Sequence, residues 1–202
     1  MGAETAPLLA LLQRPRPLSP RLVHGFLGSA ELGVVTTGVG PDPARRRCAE
    51  ALALFRPDRV LNLGTCGALV DGLGRGSLVH VDRLLLPGGE AVALEPLGRP
   101  ARTLVTVAEG VWDRASREAL AARGAQVCEM EAAGVLSACD GLPLHLLKVV
   151  SDLAGGAPDA VAPRPGQDRP GAAQTALFKA RAFTLVQRVL VPALREVLAA
   201  AG

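Results

Sequence analysis

The sequence predicts an α/β fold, and three observations carry that expectation. Short apolar runs rich in Val and Leu alternate along the chain with amphipathic stretches at helical spacing. The clearest run, Leu144-His145-Leu146-Leu147-Lys148-Val149-Val150, reads as a buried strand. It ends in the polar pair Ser151-Asp152, at the strand end where open α/β sheets bind ligands. The 202 residues suffice for one large domain with a real core. That core must be aliphatic, because 49% of residues are hydrophobic, only 2% are aromatic and Tyr is absent.

Residues 1–13 read as a short helix starting near Thr5. Gln13 to Pro20 (QRPRPLSP) is a Pro-rich connector that cannot lie inside a helix. Arg21 to Phe26 reads as an edge strand, and Leu32 to Thr37 as a buried one. The latter ends in Gly38-Val39-Gly40, where glycine lets backbone N–H groups approach a ligand. Asp42 as N-cap and Pro43 at the first helical position then open a helix. Its apolar stripe is Ala44, Cys48, Ala51, Leu52 and Phe55, which is core spacing.

Arg59 to Leu63 is the next buried strand, leading into a turn at Gly64-Thr65-Cys66-Gly67-Ala68-Leu69. A strand follows from Leu78 to Leu86, and then about fifteen residues, Pro87 to Ala101, before the next one. That next strand is Thr103 to Ala108, with the loop Glu109-Gly110-Val111-Trp112 after it. Asp113 to Arg123 is an amphipathic helix closed by Gly124. Gln126 to Cys128 is a short strand, and Glu131 to Cys139 a helix of small residues. Leu153 to Gly171 is rich in Gly, Pro and Asp and reads as a lid or a linker. Gln174 to Ala201 is a long helix that Pro192 must kink or break.

Several function classes drop out on composition. Net charge is +3, and the one basic cluster, Arg45-Arg46-Arg47, sits in a helical pattern without interleaved aromatics. It reads as a solvated helix face, so no nucleic-acid partner is expected. No apolar run is long enough to span a bilayer and nothing reads as a signal peptide, so no membrane partner is expected. Cys48, Cys66, Cys128 and Cys139 show no CxxC spacing and lie in apolar stretches. Reduced core thiols and a cytoplasmic setting follow. No His, Cys and acid cluster stands at ligand spacing, so neither a metal nor an organic cofactor is implied.

Two motifs carry the chemistry. Val127-Cys128-Glu129-Met130-Glu131-Ala132-Ala133 sets two carboxylates around a methionine, and Lys148-Val149-Val150-Ser151-Asp152 ends a strand in an acid. Together with Gly64-Thr65-Cys66-Gly67, they resemble the nucleoside phosphorylase/nucleosidase superfamily over residues 30–155. The similarity is greatest to the methylthioadenosine/S-adenosylhomocysteine nucleosidases. The resemblance implies one α/β domain over residues 1–202, a three-layer α/β/α sandwich around a mixed, twisted sheet. It implies a homodimer or higher homo-oligomer with the site near the interface.

The resemblance also implies roles. Glu131 and Met130 would hold the ribose, and Ser151, Asp152, Val111 and Trp112 the purine. An ionised Glu131 has two acceptor oxygens for the ribose hydroxyls. Asp152, at the end of a buried strand, would carry a raised pKa and protonate the leaving base. Glu4, in Gly2-Ala3-Glu4, matches the family's water-activating acid, and a solvated N-terminal acid is the other reading. The family strand that precedes this turn is missing or truncated. Thr65 would sit by the ribose and nucleophile, or serve as a turn residue. Trp112 is a stacking platform or packs at a helix start. Glu129, Lys148, Gly64 and Gly67 would support the site, with Lys148 orienting Glu4 or pairing with Glu129.

Asn62 stands where phosphorylases carry a phosphate-binding Arg, which argues for water as nucleophile. Asp rather than Asn at 152 favours a 6-aminopurine, without excluding futalosine. The expected function is therefore a purine nucleosidase acting on an adenosine-type nucleoside. A phosphate-dependent phosphorylase and a nucleoside-binding relative without catalysis are the alternatives. The segment that would surround the 5′ substituent is shortened here.

Overall fold

A computed structural model of the chain describes residues 2–154 and 171–200. It has two sheets. The smaller is antiparallel, in the order β1 (Gln13–Ser19), β2 (Leu22–Leu27), β3 (Ala30–Val35). The larger is mixed, in the order β6-β5-β7-β8-β4-β9, from β4 (Val60–Ala68), β5 (Leu78–Leu85), β6 (Ala91–Ala93), β7 (Ala101–Thr106), β8 (Val127–Glu129) and β9 (Leu144–Leu153). The amino end of β5 also pairs with β9, Leu78 opposite Val149 and His80 opposite Leu147. The larger sheet thus curls until it closes on itself, which leaves β5 with β9 and β6 sharing one edge.

Helices cover both faces, as the expected α/β architecture requires. α2 (Pro41–Leu54) and α4 (Ala132–Ala138) pack together and bury Ala44, Cys48, Val135 and Cys139 against Leu146 and Val150. A backbone approach lets them meet so closely: a Cβ on Gly134 would stand 2.0 Å from the Pro41 carbonyl oxygen. On the other side, α1 (Thr5–Leu9), α5 (Ala172–Leu185) and α6 (Val191–Ala200) flank Leu147 and Val149. β9 is therefore buried on both faces from Leu144 to Ser151, the pattern of a strand between two helical layers. α3 (Arg114–Ala122) starts on Asp113, whose carboxylate accepts from the Ser116 N–H at 2.8 Å, and Gly124 ends it at φ +88°.

Several boundaries differ from the sequence reading. The Pro-rich connector is β1, an exposed edge strand with irregular register, where proline costs no ladder bond. The strand after it is not an edge: β2 lies between β1 and β3. The helix expected to start on Asp42 is capped by Gly40, one residue before Pro41. Gly64 to Gly67 is no turn; β4 runs through it to Ala68, because β9 pairs along that whole length. The long C-terminal helix is interrupted by one π turn, Val186–Leu190, just before Pro192. Proline has no N–H for the carbonyl four residues back, and the widened turn absorbs that loss. The four cysteines are free and buried. Among the described residues no helix is long and apolar enough to cross a membrane. The Gly- and Pro-rich stretch read as a lid or linker falls largely on residues 155–170, outside the described residues.

Candidate active site

β8 delivers the carboxylates. It is three residues long, wholly buried between β7 and β4, and ends at Glu129. The Glu129 side chain is 2% exposed and is saturated with donors. It accepts from Thr106 Oγ1 at 2.8 Å, from the Glu131 N–H at 2.9 Å and from the Ala132 N–H at 2.9 and 3.1 Å. It therefore fixes the start of α4. Lys148 Nζ lies 3.2 Å from Glu129 Oε2 and also donates to Asn62 Oδ1. Burial disfavours the Lys148 ammonium, yet the carboxylates of Glu129, Glu131 and Glu4 outweigh it and raise its pKa. Lys148 thus pairs with Glu129 and Asn62 rather than binding Glu4.

Glu131 is held differently. Its Oε1 accepts the Gly40 N–H at 3.1 Å, from the turn after β3, where Gly40 sits at φ +97°. Burial, and then the charge of Glu129, push the Glu131 carboxyl up to about 7. That turn has a support the sequence reading missed. Arg47 Nη1 donates to the Thr37 carbonyl at 2.8 Å, so one member of the supposedly solvated Arg45-Arg46-Arg47 face turns inward. Arg45 and Arg46 are exposed, as expected.

Glu4 reaches the site from the amino end of α1. Its Oε1 accepts from the Thr65 N–H at 2.7 Å and from Thr65 Oγ1 at 2.6 Å. Thr65 is thus bound to Glu4 rather than satisfying a turn. Across β4, the register slips between Cys66 and Gly67: Cys66 faces Val150 but Gly67 faces Asp152. Ser151 is the extra residue of a β-bulge, a device that re-aims side chains. Its hydroxyl lies against Asp152 Oδ1 and 3.2 Å from the Cys66 carbonyl, and its own carbonyl accepts Arg75 Nε at 3.0 Å. Gly67 keeps the strands close here, since a Cβ would stand 3.0 Å from the Ala154 Cβ. A side chain at Gly64 would start in contact with the Glu4 carboxylate.

These groups line one cavity of about 200 Å³. Met130, Val111 and Trp112 form its apolar wall with Phe178 of α5, which sequence reasoning did not assign to the site. Trp112 is 41% exposed, folds over Gly110, lines the cavity and immediately precedes the α3 cap. Every site residue expected from the sequence is at this cavity. Lys148 is the only cation among the described residues that line it. Among the described residues no group of three His, Cys, Asp or Glu could hold a metal ion.

Comparison with known proteins places this arrangement in a family. The model of the phosphorylase superfamily matches residues 1–101, half of the chain. A 5′-methylthioadenosine/S-adenosylhomocysteine nucleosidase of Geobacillus sp. (strain WCH70) is 28% identical over 167 residues, covering 65% of this chain and 72% of that protein. The fold matches an S-adenosylhomocysteine nucleosidase from Streptococcus pyogenes in complex with 5-methylthiotubericidin. The TM-score is 0.77 and the identity 20%, over 98% of this chain and 92% of the other. It also matches the futalosine hydrolase of Helicobacter pylori, at TM-score 0.73 and 17% identity over 98% and 92% of the two chains. The described geometry and the matched half of the sequence agree, and the chain belongs to the phosphorylase superfamily.

Proposed function

We propose that this chain is a purine nucleosidase, hydrolysing the N-glycosidic bond of an adenosine-type nucleoside to free base and sugar. The observation that carries the reading is the convergence of Glu4, Glu131 and Asp152 on one small cavity walled by Met130, Val111, Trp112 and Phe178. The likeness to nucleosidases in sequence and in fold supports it.

In this reading the C1′–N9 bond breaks with its electron pair passing to the base, and Asp152 protonates N7 of the leaving base. Ser151 serves that step. Its hydroxyl donates to Asp152 Oδ1 and so holds that carboxyl in place at the end of β9. Water adds to C1′ and gives its proton to Glu4, which Thr65 orients through two hydrogen bonds. Glu131 accepts the ribose hydroxyls with Gly40 holding it in place, which is positional assistance. Met130 packs on the sugar face and Trp112 with Val111 borders the base. Asp152 also accepts from a 6-amino group, which favours adenine over 6-oxopurines.

Charge decides the nucleophile. Lys148 is fully buried and already engaged by Glu129 and Asn62, so it has no fork to offer a phosphate dianion. With Lys148 so engaged and the Glu4 and Glu131 carboxylates at the same cavity, an anion is repelled and neutral water is admitted. Base release from methylthioadenosine, S-adenosylhomocysteine, adenosine, inosine and futalosine, each with and without phosphate, tests the reading. Turnover unaffected by phosphate is expected; turnover that needs phosphate would replace the nucleosidase with a phosphorylase. Binding without any base release would leave a nucleoside-binding protein. We further propose that residues 1–202 act as one domain, in a cytoplasmic homodimer or higher homo-oligomer.

Glu131 gives a test with two readouts. Glu131→Gln removes the ionised acceptor, so turnover of ribonucleosides should fall while 2′-deoxy substrates lose less; equal losses would count against the ribose role. Stability should move the other way. A carboxyl raised to about 7 favours the folded state fully only below its unfolded value, and that contribution is lost as pH rises from about 4.5 to about 7. The lost stability is on the order of 3 kcal/mol. Glu131→Gln should therefore melt several degrees higher than the parent at pH 8, with the gap closing towards pH 5.

A further inference from the structure

Asp152 owes its direction to the peptide before it. The Ser151 carbonyl and the Asp152 nitrogen share one planar unit. The orientation of that carbonyl therefore sets where the Asp152 Cα, and the carboxyl beyond it, can stand. In a regular strand the ladder would fix this plane. Here the plane lies at the bulge, where Cys66 faces Val150 and Gly67 already faces Asp152. The extra residue of a bulge falls out of the ladder. Ser151 is also buried, and a buried carbonyl needs a donor.

The donor comes from the connection between β4 and β5, residues 69–77. This connection grips the end of β9 at three successive groups. The Val150 N–H donates to the Ser77 carbonyl at 3.0 Å, and the Val150 carbonyl accepts the Gly76 N–H at 2.8 Å. The Ser151 carbonyl then accepts Arg75 Nε at 3.0 Å. The first two bonds are between backbones and ask only for the glycine that φ +87° requires at position 76. The third belongs to a side chain. The loop that carries it is itself tied, since the Ser77 N–H donates to the Gly74 carbonyl at 3.0 Å.

Arg75 is exposed and is not among the described residues that line the cavity. It acts on a nucleoside held there only through other residues. Exposed side chains also contribute little to stability. A hydrogen bond from such a residue to the peptide of a site acid is thus better explained by geometry at the site than by strength of the fold.

We propose that Arg75 is a positioning residue for Asp152. Its Nε–H holds the Ser151–Asp152 peptide in the orientation that sends the Asp152 carboxyl into the cavity. Ser151 works from both ends: its carbonyl takes Arg75, and its hydroxyl takes Asp152 Oδ1. The catalytic consequence rests on the nucleosidase reading, in which Asp152 meets the base. Misplacing a reacting group by about 1 Å can cost about a hundredfold in rate.

Three substitutions separate the hydrogen bond from the charge. Arg75→Gln places an N–H the same number of bonds from the backbone as Nε, without the charge. Arg75→Lys keeps the charge but carries its nitrogen one atom further out. Arg75→Met keeps the length and has no donor. Arg75→Met should lower kcat at least about tenfold while KM changes less than about twofold. Arg75→Gln should recover most of that loss and Arg75→Lys little of it. Tm should stay within about 2 °C of the parent in all three. In an Asp152→Asn background, Arg75→Met should cost less than about twofold more, because residues that act as a unit are not additive.

Parental kcat in Arg75→Met would overturn the proposal. So would recovery by Arg75→Lys but not by Arg75→Gln, since charge would then be at work, and so would full additivity with Asp152→Asn. A lower Tm with kcat unchanged would leave Arg75 a structural residue only. The 15N shift of the Asp152 amide reads the same peptide without turnover. It should move in Arg75→Met and return towards the parent in Arg75→Gln; an unmoved shift in Arg75→Met would overturn the proposal. A parent that releases no base would sink the nucleosidase reading, and the shift series then decides the role of Arg75 by itself.

Discussion

Asp152→Asn lowers base release at least about a hundredfold, the lower end of what a positioned general acid contributes. The change keeps the shape of the side chain and keeps an oxygen for the Ser151 contact. An amide can donate a hydrogen bond to N7, but it has no proton to transfer. The base would then leave as an anion or wait for water to protonate it. The effect should fall on kcat, with KM little changed, because the lost interaction belongs to the transition state. Melting within a degree or two of the parent would show that the fold is intact. Turnover equal to the parent would remove Asp152 from the mechanism and with it the assignment of this end of β9 to the base.

Lys148→Met should cost the fold about 3–5 kcal/mol, the range for removing one partner of a buried ion pair. Methionine fills the space, but it leaves the Glu129 carboxylate, with its side chain 2% exposed, without a counter-charge. It also strands the Asn62 carbonyl, which accepts from Lys148. A Tm drop on the order of 10 °C is expected at pH 8. Denaturant melts at pH 8 measure this. A loss under about 1 kcal/mol would mean that the three donors from Thr106, Glu131 and Ala132 suffice for Glu129, and that Lys148 is not a structural counter-ion. A double variant with Glu129→Gln should recover much of the loss, since both charges are then gone.

These two outcomes bear on different parts of what could be read without a structure. Asp152 was legible because its signal is local: a polar pair at the end of a long apolar run. The partnership of Lys148 with Asn62 was not legible. The two residues are 86 positions apart, and only the parallel pairing of β4 and β9 brings them together. Arg47 was misread for a related reason. Three consecutive arginines on a helix look alike in sequence, and the angle between α2 and the turn after β3 selects one of them. The Pro-rich β1 was read as a connector because proline cannot lie inside a helix, and the sequence does not reveal which segments serve as edge strands.

The sequence by itself determined the α/β class, the aliphatic core, the family and the candidate residues of the site. Each of these rests on periodicity or on short motifs that need no partner. The tertiary structure alone decided three things. The sheet closes through β5 and β9, so that Glu4, Glu131 and Asp152 face one cavity. A bulge at Ser151 aims Asp152. Among the described residues, β3 and most of β4 have one edge with no strand beside it, and an apolar gap lies between them. All three are matters of which strand lies beside which, set by pairing between residues far apart in the chain, and local pattern carries no record of that.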